Sequence, residues 1–203
     1  MSSYMRISHL LRLGVLLFAV VVVATVGCKK SEPAAAAPSA GDPPPFVANG
    51  TIKDLMLNVV DRQADVVWQS VTTVASDKGL VETKPKNDEE WASVKAGAIT
   101  LAEAANLLMV PGRHVARPGE KSDTPGVELE PAEMEELITK DPHAFYQRAR
   151  ALYDAAMLAA DAAEHKDAEK VFEIGENIER ACENCHRQYW YPNEKIPDLP
   201  AAK

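Results

Sequence analysis

Apolar positions recur along this chain at helical spacing in four stretches, each bounded by residues that start or stop helices. The first runs from Thr51 to about Ala75, with Ile52, Leu55, Met56, Val59, Val60, Val66, Val67, Val71 and Val74 on one stripe and Trp68 beside it. Thr51 with Asp54 resembles a capping pair, and Gly79 and Pro85 close the segment. The second opens on Asn87, with Asp88, Glu89 and Glu90 in its first turn. Trp91, Val94, Ala98, Leu101, Ala105 and Leu108 mark its inner face, and Pro111-Gly112 ends it. A loop from Pro111 to Pro131 follows, then a short helix to about Ile138. Loops of this length inside a compact domain are uncommon and often functional. Asp141 and Pro142 supply an N-cap and a first-turn proline for the third long helix, which reaches about His165. Its inner positions are Phe145, Ala149, Leu152, Ala156, Ala159 and Ala163. The alanines fit close helix contact, room for a flat cofactor, or simple helix propensity. The fourth helix opens at Asp167, carries Val171, Ile174, Ile178, Cys182, Cys185 and Tyr189 at helical spacing, and stops at Pro192.

Few aromatics (6%) and abundant alanine favour helices over strands. The expected fold is all-α: an antiparallel up-down four-helix bundle over residues 51–203.

What precedes it has another character. Residues 1–27 read as an export leader, with Arg6 and Arg12 ahead of the apolar run Leu13 to Val26. That run falls short of the roughly 20 apolar residues a spanning helix needs. It ends in Thr25-Val26-Gly27-Cys28, which resembles a bacterial lipobox, with Thr25 where leucine is usual. Cys28 would then be the first mature residue and carry the lipid. The alternative is an uncleaved N-terminal anchor. Both place the domain outside the cytoplasm. Residues 28–50 form a linker rich in proline and alanine that cannot bury a core. If flexible, it reaches on the order of 25 Å. Loss of the leader removes two arginines and no acid, taking the net charge from −8 to −10. Such a charge suits neither nucleic acid nor an anionic membrane surface.

The chemistry concentrates in Cys182-Glu183-Asn184-Cys185-His186. C-x-x-C-H is the attachment pattern of a c-type haem. On a helix the three residues share one face, so two sulfurs and an imidazole meet the same porphyrin edge. Zinc would need two more cysteines or histidines at ligand spacing, and Cys28 is the one other cysteine. A redox dithiol of the thioredoxin kind opens a helix after a strand, whereas this pair closes one. The reading is one covalent haem c.

Four helices with C-x-x-C-H near the C-terminus resemble class II c-type cytochromes, the cytochrome c′ family and its low-spin relatives. The resemblance covers about Thr51 to Tyr191, and includes Met56, Trp91 and the run Leu107-Leu108-Met109 before Pro111. It implies a haem held inside the bundle, in proteins that often pair as homodimers, with Cys182 and Cys185 as thioether positions and His186 as proximal iron ligand. The chain departs from the family in its long 111–131 loop and its Trp190-Tyr191-Pro192 ending. High-spin members leave the distal position open; low-spin members use a first-helix methionine. In an up-down bundle, Met56 and Met109 lie at the haem end, whereas Met157 lies about four turns into its helix. The low-spin pattern favours Met56; ordinary core filling is the other fate of either methionine. His114, His143 and His165 are alternative ligands, with His165 read as a cation at a helix C-terminus. Arg113 and Arg187 suit the two propionates, or are solvated surface charges.

Two functions follow from that resemblance. The first is a periplasmic, membrane-tethered carrier of single electrons, whose acidic surface expects a redox partner with a basic docking patch. The second is a five-coordinate haem protein binding NO or CO. An enzyme is not expected, since one haem motif stands without an evident distal acid–base group.

Overall fold

A computed structural model describes residues 46–194. The expected leader, Cys28 and most of the linker lie outside those residues, as does the chain after Glu194. Helices dominate: α1 (Ile52–Leu55), a π-helical turn (Met56–Val60), α2 (Asp61–Ser70), α3 (Asp88–Leu108), α4 (Pro131–Lys140), α5 (Pro142–Glu164) and α6 (Ala168–Tyr189). Strands β1 (Thr72–Ser76) and β2 (Gly79–Thr83) pair as an antiparallel hairpin between α2 and α3. Among the described residues no helix is long and apolar enough to cross a membrane.

Local chemistry sets the helix starts. Thr51 Oγ1 accepts the Asp54 N–H while the Asp54 carboxylate accepts the Thr51 N–H, each at 3.0 Å, a reciprocal capping box. Asn87, Asp141 and Asp167 accept the N–H of Glu90, Ala144 and Lys170 in the same way. The turn from α5 to α6 closes without glycine. Lys166 takes a left-handed φ of 55°, and its N–H and that of Asp167 bond back to Ala163 and Ala162 carbonyls, a Schellman pattern. The Lys166 ammonium then reaches Asp88 at the start of α3 (2.8 Å).

Two expectations for the first helix are corrected. It stops at Ser70, not Ala75, because Val71 is already extended (φ −132°, ψ 112°) and Val74 pairs with Val81 across the hairpin. The β-branched run Val71-Thr72-Thr73-Val74 resists helix, Ser70 Oγ bonds the Val67 carbonyl, and Asp77-Lys78 supplies a two-residue loop. Gly79, at φ 109°, takes the conformation closed to other residues just after that loop. Val74 therefore lies 58% exposed instead of on a core stripe. The second correction is the π turn: the Asp61 N–H bonds Met56 O, five residues back. The extra residue shifts the helical phase, so Val60 follows Leu55 as the buried position and Val59 is only half-buried.

The core has two parts. A central cluster fills the bundle between α2, α3, α5 and α6, with Leu101, Ile174, Ile178, Val67 and Val171 fully enclosed. Ala98, Ala102 and Ala105 of α3 and Ala156, Ala159 and Ala163 of α5 are buried in this cluster, where the two helices pack against each other. A second cluster joins Leu55, Leu108, Phe145, Ala149 and Tyr189, which brings the start of α1, the end of α3, the start of α5 and the end of α6 together. Polar pairs agree: Arg148, early in α5, donates to Gln188, late in α6 (2.9 Å), and Lys95, early in α3, pairs with Glu164 at the end of α5.

The 111–130 segment is tied to the start of α1 and to the turn after α6. The N–H groups of Ile52 and Lys53, which have no helical acceptor, bond to the carbonyls of His114 and Val115 (2.9 and 3.0 Å), and Val115 is buried. Arg117 clasps both Asp54 oxygens (2.9 and 3.1 Å). Farther on, Leu129 N–H bonds the Trp190 carbonyl (2.7 Å).

α2 crosses α3 where Gly97 has no side chain: a Cβ there would sit 2.6 Å from Val66 Cγ1. Gly97→Ala should therefore cost about 1–3 kcal/mol by overpacking, although alanine in a free helix gains about 1 kcal/mol over glycine. Urea unfolding measures the balance, and Val66→Ala in the same chain should recover part of the loss. An unchanged midpoint would mean that the helices part without cost.

Candidate cofactor-binding site

The last two turns of α6 present the candidate groups. Cys182 packs against the central cluster and Cys185 against the second one, so the pair straddles the junction of the two cores. Both are free thiols. Burial pushes the Cys182 thiol up to about 12, aided by the negative charge of Glu179. Burial likewise raises Cys185 to about 11, against the opposing pull of the Arg148 guanidinium. His186 is half-buried, and burial lowers its pKa despite the carboxylate of Glu183. The site therefore holds two neutral thiols and a neutral imidazole.

That donor set discriminates between ligands. A redox dithiol or a zinc thiolate needs stabilised sulfur anions, and both thiols here are pushed the other way. Thioether sulfurs are neutral, so apolar surroundings suit them, and a neutral imidazole is the form that ligates a metal. Among the described residues no three His, Cys, Asp or Glu side chains converge as a metal set. One imidazole alone cannot hold iron, but it could complete a site whose other donors come with a porphyrin. The residues present fit haem c.

Around the imidazole lies a shell that the sequence did not disclose. Trp190 meets the His186 ring edge-on, with centroids 5.0 Å apart and planes at 89°. The Tyr191 hydroxyl is 2.5 Å from Glu183 Oε1 and 3.4 Å from His186 Nδ1. Arg187 Nε donates to the other Glu183 oxygen (3.1 Å). The Tyr191 bond, then Arg187, hold the Glu183 carboxyl below its usual range. The one signal in the sequence was the unusual Trp190-Tyr191-Pro192 ending. A groove of about 710 Å³ runs beside the motif between α2, β1 and α6, lined by Trp68, Phe172, Glu179, Glu183, Asn184 and Arg187.

Met56 is half-buried and packs against both clusters, as the two cysteines do between them. Met109, the C-cap of α3, packs against the second cluster. Met157 is 40% exposed. His143 is exposed, His165 caps the end of α5, and the exposed His114 faces Glu135 at 2.7 Å. Arg113 donates to the Leu107 carbonyl (2.9 Å) and to that of Gly50, so it braces the loop rather than facing open space. Arg187 borders the groove with Glu183 as partner. The half-buried Arg148, not anticipated from the sequence, is the guanidinium whose field reaches Cys185.

No family model matches the chain, and no curated protein does. Several solved structures are similar to it. A nitric oxide complex of a cytochrome c prime variant from Alcaligenes xylosoxidans is 18% identical, with 72% of this chain and 98% of that one covered and a TM-score of 0.43. A ferrous variant from the same organism is 18% identical over 70% and 98%, also at 0.43. A further cytochrome c′ is 18% identical over the same shares at 0.41. At that identity and superposition, the chemistry of the site rests on its own residues.

The thiols give a direct check. Unfolded thiols ionise near 9.0, while the folded pair waits until about 11 and 12. Before haem attachment, stability is full below pH 9 and declines as pH climbs through that window. At pH 8, iodoacetamide should alkylate Cys182 and Cys185 of the folded, haem-free domain on the order of a hundredfold more slowly than in urea, as read by mass spectrometry. Equal rates would mean that the thiols are not shielded.

Proposed function

We propose that this chain is an exported c-type cytochrome, an antiparallel up-down four-helix bundle that carries single electrons. The observation that carries the reading is the neutral donor set on one face of α6, with Met56 packed into the same two clusters that receive the cysteines. Cys182 and Cys185 would form the thioethers, His186 would be the proximal ligand and Met56 the distal one. Haem c, when bound, supplies a one-electron iron couple, and a histidine–methionine pair raises its potential. The apolar residues of the second cluster keep water from that end, and the π turn at Met56–Val60 sets the register that brings Met56 to it. Arg187, on the groove, is the nearer to a propionate role; Arg113 would have to release the Gly50 and Leu107 carbonyls to share it.

The same reading places the domain in the periplasm, tethered through a lipid on Cys28, as a carrier rather than a catalyst. Its partner is a redox protein with a basic docking patch, bound less tightly as salt rises.

Spectra of the domain, made in a host that attaches c-type haem, test the ligation. Low-spin ferrous bands indifferent to CO are expected, with Met56→Ala giving a high-spin form that binds CO at a lower midpoint potential. A wild-type ferrous spectrum that is high-spin and shifts promptly with CO would replace electron carriage by NO or CO binding. The tether has its own check: full-length chain should partition with membranes, and Cys28→Ser should move it to the soluble periplasmic fraction.

A further inference from the structure

We propose that Tyr191 and Glu183 form a hydrogen-bonded relay behind His186, fixing its tautomer and strengthening it as an iron ligand. The inference rests on the haem reading and deepens it. The fold delivers Tyr191 to this place. α6 ends at Tyr189, and the N–H groups of Trp190 and Tyr191 both turn back to the His186 carbonyl (2.7 and 2.9 Å). Pro192 cannot prolong the helix. Leu129 of the long loop holds the Trp190 carbonyl, so the turn is fixed from outside as well.

Proton placement follows from the donors and acceptors. The Tyr191 hydroxyl has one hydrogen, and the carboxylate oxygen 2.5 Å away takes it. The phenolic oxygen can then only accept from His186 Nδ1, which lies 3.4 Å off, a few tenths of an ångström beyond the usual range. Nδ1 carries its hydrogen toward Tyr191, and Nε2 keeps the lone pair that a metal needs. Arg187 grips the second Glu183 oxygen and holds the carboxylate in line. Trp190, edge-on to the imidazole, limits its rotation. A donor bond from Nδ1–H into a tyrosine polarised by a carboxylate makes the imidazole more basic, which favours the ferric state. Tyr191 and Glu183 act through His186, so both are positioning residues.

The test uses the haem-loaded domain and four chains: wild type, Tyr191→Phe, Glu183→Gln and the double variant. Midpoint potentials come from spectroelectrochemical titration, and exchange of the His186 Nδ1 hydrogen from NMR of the ferrous form. Tyr191→Phe changes no charge and almost no volume, yet should raise the potential and speed that exchange several-fold. Glu183→Gln should raise the potential in the wild type and distinctly less once Tyr191 is gone, because the coupling runs through the hydroxyl. Equal Glu183→Gln shifts in both backgrounds would show a plain charge effect and overturn the relay. So would a Tyr191→Phe protein with unaltered potential and exchange. No covalent haem on Cys182 and Cys185 would overturn the haem reading itself, and the relay with it.

Discussion

The first turn of α1 begins with backbone N–H groups that no helical carbonyl can reach, and the way they are satisfied arranges the end of the bundle that matters. Thr51 and Asp54 meet two of them by their own side chains. Ile52 and Lys53 turn instead to His114 and Val115, so the long loop must lie against the helix start. Asp54, already a cap, is also the anion that Arg117 clasps. A loop fixed there runs on to Leu129 and takes hold of Trp190. One unsatisfied helix end thereby couples the first helix, the 111–130 loop and the turn after the C-x-x-C-H motif.

What gathers at that end is chemically consistent. Apolar side chains from four helix ends cover Cys185 and the central cluster covers Cys182, and burial keeps both as thiols and His186 as neutral imidazole. Larger, softer side chains, Met56, Met109, Phe145 and Tyr189, stand beside the motif.

The parts of this protein that depend on nearby residues were legible without a structure. Thr51, Asn87, Asp141 and Asp167 start helices because a short polar side chain reaches an N–H three residues on. The spacing of Cys182, Cys185 and His186 puts them on one helical face whatever surrounds them. The hairpin at 72–83 was missed because Val71 and Val74 fit a helical stripe as well as a strand, and period alone cannot separate the two over so few residues. The π turn at Met56–Val60 left no mark in the pattern, since Val59 and Val60 are both apolar and either could face inward.

The sequence by itself determined the helices, their caps and the identity of the thiols and imidazole, because these depend on residues within one or two turns. Tertiary structure alone decided which groups stand around them. Tyr191 reaches Glu183 and His186 through the way α6 ends, and Arg113 braces Gly50 and Leu107 through the path of a loop. Arg148 acts on Cys185 through the packing of α5 against α6. These placements depend on chain reversal and on contacts between distant segments, and side-chain periodicity along one element does not encode either.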